Sequence, residues 1–421
     1  MPSDLDYLSF QSEAVNLLRG SIHENVSCTI ALLCLRRSFE SLDQSSLVAN
    51  VEKQTTSLIS RLSRAASEKG HFAIAGIGRR VLFTLREASK KRNVVDSTTA
   101  TAASISTSHN CEVSNESLDN GLHEIVEKVS VSDLALLFGI DDEQISKKYD
   151  AEIPSSLKWS KGLSQAVLDI IGEIEDEVEN QVSSLSTLTS DLLKPVGEII
   201  LLHTPSGTII SWLLDAHRKR GRNFQVIICE GDSDGLQGHE SASSISAPIP
   251  VKKNALTEKQ PQKSGKNAPV AILDKLSATG IHTTLIPDSA AWACMPRVTL
   301  VVLSSVLISK STTTSGANVL CSAGSSMIAV AAKAHSVPVM VFTSSLSILP
   351  IQQETVHAIA NSQSSDPKTA LQMSVVDANS LGLGSSQGGL SVLPSIVCPK
   401  WDALGNDLVD LVVCSSGVFS I

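Results

Sequence analysis

Apolar residues recur at helical spacing through residues 5–91. Ala14, Leu17 and Leu18 fall on one face, and Ile30, Leu33 and Cys34 continue the pattern. Further helices are predicted over residues 51–69 and 79–91. The second carries Val81, Leu82 and Leu85 on one stripe, with Arg79, Arg80, Arg86, Lys90 and Lys91 around it. A charge-rich helix face is ordinarily just solvated; a surface facing an acidic or phosphorylated partner is the sharper reading of the same five cations. Residues 94–120 are rich in Ser and Thr and predict a flexible insertion. Weak helical signals return over 122–149. Over 163–193 the register is firm, with Val167, Ile170, Ile171, Ile174 and Val178 on one face. Asp169, Glu173, Glu175, Asp176, Glu177 and Glu179 lie opposite. With no histidine among them, these carboxylates read as a solvated acidic face rather than a metal site.

Pro195 and Gly197 then punctuate the chain, and the period changes. Strands are predicted over 198–203, 224–230, 281–286, 298–303 and 337–342. Between them fall helices over 208–220 (ending in a basic cluster before Gly221), 270–279, 288–294 and a small-residue stretch, 319–335. Ser-rich segments at 241–267 and 361–389 read as flexible insertions. The last residues read as a loop, a short helix and an extended run. Strand–helix alternation with apolar strands is the pattern of a parallel, doubly wound sheet with right-handed crossovers. The fold class expected is α/β: an N-terminal helical domain over 1–193, then a Rossmann-like, mostly parallel sheet domain over 194–421 with helices on both faces.

Composition narrows the function classes. In 421 residues, 34 Lys and Arg stand against 43 Asp and Glu, a formal charge of −9. That balance argues against direct nucleic-acid binding, and 3% aromatic residues leave few stacking platforms. The 42% hydrophobic content is enough for a sizeable core. None of the eight cysteines forms a C-x-x-C pair, and Cys229 sits inside the apolar run VIICE. Buried reduced thiols in a cytosolic protein are the simplest reading. The N-terminal residues do not resemble a secretory signal, and no run reaches the ~18–20 apolar residues of a membrane span. The expected compartment is the cytoplasm, with no membrane partner.

Candidate chemistry gathers at strand ends, where open α/β sheets bind ligands. The first strand-end loop is His203-Thr204-Pro205-Ser206-Gly207-Thr208. Its small polar residues at a helix N-terminus could hold a phosphate, although it matches neither G-x-G-x-x-G nor a P-loop, and an ordinary Ser or Thr helix cap is the bland reading. The second loop, residues 230–239, is acidic but lacks EF-hand spacing. His203, His239 and Ser206 are available for nucleophilic chemistry, yet no spacing selects them as a triad. The residues alone announce no enzyme, cofactor or metal site.

Longer stretches carry a resemblance. VGEIILLHTPSGTIISWLLDAHRKRGRNFQVIICEGDSDGLQGHE, LSATGIHTTLIPDSAAWACMPRVTLVVLSSVLI, GSSMIAVAAKAHSVPVMVFTSSLSILP and CPKWDALGNDLVDLVV follow in order along the chain. Together they resemble the regulatory subunits of eukaryotic translation initiation factor 2B, densest over 196–350. GRRVLFTLREASKK, the Ser/Thr-rich insertion after it, and the Leu236-Gln237-Gly238-His239 stretch point to the beta branch rather than alpha or delta. The superfamily also holds sugar-phosphate isomerases that use a cysteine and an aspartate. The resemblance places Thr204 at the cysteine position and Val306 at the aspartate position, and the family's N-G and G-T pairs are missing over 310–318. A valine cannot exchange protons, and an unactivated threonine is a poor substitute for a thiol.

The resemblance therefore implies a non-catalytic regulatory subunit of the guanine-nucleotide exchange factor for initiation factor 2. Its implied partners are the alpha, gamma, delta and epsilon subunits of that factor, and the alpha and gamma subunits of initiation factor 2. A sugar-phosphate isomerase with relocated groups is one alternative. A module sensing a sugar phosphate or nucleotide at the 204–208 loop is the other.

Overall fold

The computed structural model describes residues 4–20, 24–42, 46–67, 70–101, 157–189, 192–231, 268–310, 317–349, 351, 356–357, 359–360 and 399–420. The helical half consists of α1 (Asp4–Gly20), α2 (Glu24–Glu40), α3 (Val48–Ser67), α4 (Ala73–Thr101) and α5 (Lys161–Leu188). α2, α3 and α5 each bury one face, whereas α4 is buried all round over residues 73–79. In α5 the stripe is Leu163, Val167, Ile171, Ile174, Val178, Gln181 and Leu185, a run of three- and four-residue steps. Ser160 caps this helix by accepting from the Leu163 N–H at 3.4 Å. Its expected face therefore holds, except that Ile170 is only partly buried at the edge of the core. α4 runs on to Thr101, so the insertion expected from residue 94 begins as helix. The weak helical signals of 122–149 and the insertions of 241–267 and 361–389 lie outside the described residues.

The sheet half begins with β1 (Val196–His203), α6 (Gly207–Arg220), β2 (Asn223–Cys229), α7 (Ala268–Ser277) and β3 (His282–Ile286). A single-turn helix α8 (Ala291–Cys294) and β4 (Leu300–Lys310) follow. Then come β5 (Ala317–Ser322), α9 (Ser325–Ala334), β6 (Val339–Phe342), β7 (Ile348–Leu349), β8 (Trp401–Gly405), β9 (Leu411–Cys414) and β10 (Gly417–Phe419). The main path runs β10-β9-β6-β4-β1-β2-β3 and is parallel except for the β9–β10 hairpin. Order reverses between β1 and β4, which is the switch point where a crevice opens at the strand ends. Side chains alternate as the pleat demands. Ile200, Leu202, Val302 and Met340 pack under α6 and α7 with Trp212 and Leu276, while Leu201, Val301, Leu303 and Val341 pack under α8 and α9 with Ala291 and Ile328.

Three sequence expectations need correction. Residues 319–335 are not one helix: β5 precedes α9, and Gly324 turns the chain between them at φ 94°. The run Ala-Asn-Val-Leu-Cys-Ser suits either period, and pairing with β4 and β8 decides for strand. The C-terminal stretch has no regular helix either. It forms β8, a tight turn at Asn406–Leu408, β9 and β10, because Trp401, Leu404, Val412 and Val413 are all claimed by sheet faces. Gly197 is not a break before the first strand but sits within it, at an irregularity opposite β2 with φ 86°.

β4 is longer than the sequence pattern suggested. Its first half pairs with β1 and β6, and its second half leaves the main sheet to pair with β5 and β7, after an irregularity between Ser305 and Leu307. That second half carries the sheet into the helical core. Leu307, Leu320, Leu346, Leu349 and Trp401 belong to the same buried cluster as Leu35, Ile59, Ile77 and Leu82. The helical core thus extends into the sheet half.

Candidate strand-end site

β1 ends at His203, at the switch point. The ring is fully buried, and its Nδ1 lies 3.0 Å from Ser325 Oγ at the start of α9. Its Nε2 lies 3.7 Å from Asp288 Oδ2, beyond hydrogen-bond reach, and has no hydrogen-bond partner among the described residues. Asp288 opens the turn after β3, and its other oxygen accepts the Gly231 N–H at 3.0 Å. Burial pushes the Asp288 carboxyl up, but the adjacent His203 and the Gly231 N–H outweigh it and hold the group below its ordinary value of 3.8.

Thr204 follows in the left-handed region at φ 41°, unusual for a β-branched residue. It is buried, and its hydroxyl has no partner among the described residues. A β-carbon on Gly231 would meet Thr204 Cγ2 at 2.6 Å, and one on Gly324 would meet His203 Nε2 at 3.1 Å. Backbone therefore closes over both side chains. Ser206 stands at the N-cap of α6 without making a side-chain cap bond, so the simple capping reading of this loop does not hold. Ser206, Gly207 and Thr208 are half-buried at the rim.

The N-terminus of α9, which could have bound an anion, is already served from within. Asp402 Oδ2 accepts the N–H groups of Gly324 and Ser326 at 2.9 and 3.0 Å. Val306, at the irregularity in β4, packs against the helical core. Cys229 at the end of β2 is a buried thiol pushed up to about 12, first by burial and then by Asp288. No hydrogen bond links Thr204 to a base among the described residues, and no cluster there has the make-up of a metal site. His239 and most of the acidic 230–239 loop lie outside the described residues.

Beside this site, Trp292, Met327 and Val330 are exposed and line a groove of about 460 Å³ with Asp288 and Ser326. The sequence reading found His203 and Thr204 but missed Asp288, Ser325 and Asp402 as their surroundings.

The expected cationic surface on α4 does not form one exposed patch. Arg79 is buried, Arg80 pairs with Glu177 of α5, and Arg86 pairs with Glu52 of α3, while Lys90 is exposed. The side chain of Lys91 lies outside the described residues. The acidic face of α5 needs the matching correction: Glu175 pairs with Arg36 and Glu177 with Arg80, so these two carboxylates hold helices together. Local periodicity records which face is charged, not what packs on it.

Fold and site define an open, doubly wound α/β domain whose strand-end crevice is filled by its own side chains, joined to a helical half. Residues 252–421 match the model of the Initiation factor 2 subunit family. It is 27% identical over 212 residues to translation initiation factor eIF2B subunit beta of Dictyostelium discoideum, an alignment covering 50% of this chain and 44% of that relative. The chain thus spans less than half of that relative's length. It also resembles the crystal structure of eIF2B beta from Chaetomium thermophilum, at 17% identity and TM-score 0.54, covering 100% of this chain and 93% of the other. A chain of the tetrameric eIF2B-beta2-delta2 complex from C. thermophilum is similar at 16% identity and TM-score 0.52, covering 97% and 90%. At such identities the structural likeness speaks for the fold. No described helix is long and apolar enough to cross a membrane.

Proposed function

We propose that the chain is a non-catalytic regulatory subunit of the guanine-nucleotide exchange factor for translation initiation factor 2. In this reading it scaffolds the complex and helps sense the phosphorylated substrate factor. The observation that carries the non-catalytic part is the sealed strand end. His203 is at 0% exposure, Thr204 has no base within hydrogen-bond reach, and Val306 occupies the second catalytic position suggested by the isomerase resemblance. The family match and the beta-subunit relative support the regulatory role. Its partners are then the alpha, gamma, delta and epsilon subunits of the exchange factor, and initiation factor 2 through its alpha and gamma subunits. The place of action is the cytosol, and contact with translation is protein to protein. Affinity isolation from the native cell tests this. Recovery of gamma, delta and epsilon subunits is expected, and a clean homodimer overturns it.

One observation favours a second reading. Two buried polar atoms, His203 Nε2 and Thr204 Oγ1, lack partners among the described residues. They suit a small polar ligand, such as a sugar phosphate or nucleotide, bound without being turned over, and reaching them requires the Gly231 and Gly324 backbone to move aside. A ligand that binds only the native state raises the melting temperature. A rise with millimolar ribose phosphate supports this reading, and no shift removes it.

A further inference from the structure

The opposite edge of the sheet, where β1, β2 and β3 begin, carries a charge cluster that the strand-end site does not use. Residues 194–223 hold five cations, Lys194, Arg218, Lys219, Arg220 and Arg222, against two carboxylates, Glu198 and Asp215, in a chain of net charge −9. α6 ends in Arg218-Lys219-Arg220, and Gly221 turns the chain back at φ 61°. Its N–H and that of Arg222 close the helix on the His217 and Ala216 carbonyls. The Asn223 N–H then bonds the Pro195 carbonyl at 3.1 Å, and Val196 pairs with Asn223. These contacts set the Lys194–Val196 segment beside Arg222 and the end of α6.

Neither carboxylate balances the cluster. Asp215 is paired with Lys219 at 2.8 Å, one turn away. Glu198 is buried and accepts from the Thr299 hydroxyl and the Lys194 N–H. On the neighbouring α7, the exposed Asp274 and Lys275 cancel in charge. Lys194, Arg218 and Arg220 are exposed and make no ion pair among the described residues. A helix dipole favours cations in the last turn, which accounts for the residues of α6. It does not account for Lys194, which comes from the segment before β1. Val196, two residues on, is 71% exposed.

We propose that this edge is a docking surface for an acidic segment of a partner protein. The partner's carboxylates meet Lys194, Arg218 and Arg220, and an aliphatic side chain covers Val196. A nucleic acid fits less well, because Trp212 and Phe224 are buried and leave α6 and β2 without an exposed Trp, Tyr or Phe for a base. This face is separate from the strand-end crevice, and its charge does not depend on the regulatory role proposed above.

Fluorescence anisotropy of the full chain with a labelled peptide of repeated Glu-Glu-Leu, at low ionic strength, tests the surface. The wild type should bind it, more weakly as salt is added, and should not bind a Gln-Gln-Leu peptide. Arg218→Glu with Arg220→Glu should weaken binding at least about tenfold. Lys53→Glu with Arg64→Glu, the same change of charge on the exposed face of α3, should leave it unchanged. If the α6 variant does not fold, Arg218→Gln with Arg220→Gln should still weaken binding about threefold. Val196→Ser should also weaken it about threefold, and an unchanged affinity removes the aliphatic contact. No binding by the wild type, equal losses from the α6 and α3 variants, or tighter binding of a single-stranded RNA oligonucleotide overturns the proposal.

Discussion

His203 and Asp288 face each other at 3.7 Å across the carboxyl edge of the sheet, near enough to feel charge and too far for a hydrogen bond. Each is fixed from elsewhere, His203 by Ser325 and Asp288 by the Gly231 N–H. The pair therefore holds three strand-end loops in register. Thr204, which the isomerase resemblance places at the nucleophile position, is bonded to neither of them among the described residues.

The Asp288 carboxyl is held below its ordinary value of 3.8. A depressed carboxylate contributes stability that is present above the unfolded value and lost as pH falls through the lower folded value. Asp288→Asn should cost about 1 kcal/mol at neutral pH, since the charge-assisted bond to Gly231 becomes a neutral one. The variant should also lack that part of the acid-induced loss. Urea denaturation at neutral pH and at acid pH measures both, and equal losses at the two would show that the charge is irrelevant.

Restoring a thiol should not restore chemistry. Thr204→Cys places a sulfur beside His203, but Val306 supplies no proton acceptor and the backbone of Gly231 and Gly324 still covers the site. No isomerisation of a ribose phosphate above background is expected. Turnover by this variant would revive the isomerase reading.

Most strands were legible in the sequence because buried parallel strands are short apolar runs between turn residues, as in Glu198–His203 and its neighbours. The long α5 helix was legible for the same reason, its apolar stripe repeating over seven positions. The site's surroundings were not. Ser325 lies 122 positions from His203, and periodicity carries no information over such a span. Glu177 read as solvated because its true partner turn lies 168 positions away. β5 was hidden because a small-residue run followed by a helix has no boundary until Gly324 is seen in the left-handed region.

The cysteines make a separate prediction about reactivity. Burial holds Cys34 at about 11 and Cys229 at about 12, and raises Cys28, Cys321 and Cys414 as well. Thiols that are both protonated and inaccessible react slowly. Among the described cysteines, only the half-buried Cys294 should be alkylated rapidly in the native protein, and all should react once it is unfolded. Peptide mapping after a brief pulse of iodoacetamide reads this directly. Rapid labelling of Cys229 would mean that the strand-end site opens.

Two helical glycines should respond in opposite directions to the same change. Gly76 of α4 lies against the Leu346 carbonyl, where a methyl group has nowhere to go. Gly172 of α5 has nothing within 4 Å of its would-be β-carbon. Gly76→Ala should therefore cost ~3 kcal/mol or more, since it forces the two halves apart. Gly172→Ala should stabilise by about 0.5–1 kcal/mol through helix propensity and reduced unfolded-state entropy. Denaturation midpoints decide both, and a mild effect at Gly76 would mean that the contact between the halves is slack.

The ion pair between Arg80 and Glu177 separates a solvated acidic face from a structural one. If α5 merely displayed its carboxylates to water, losing Arg80 would cost only the ~0–1 kcal/mol of an exposed pair. Here Glu177 also accepts from Ser345 and Ser415 and is only 23% exposed at its side chain. Arg80→Met should thus leave a poorly hydrated carboxylate and cost about 2 kcal/mol. Glu177→Gln keeps an acceptor for the serines and should cost less. In the double variant the penalty of the uncompensated carboxylate is gone, so its cost should fall well below the sum of the singles, with a coupling of about 1 kcal/mol or more. Additive losses would place Glu177 back in solvent and leave Leu346 and Gly76 as the contact that joins the halves.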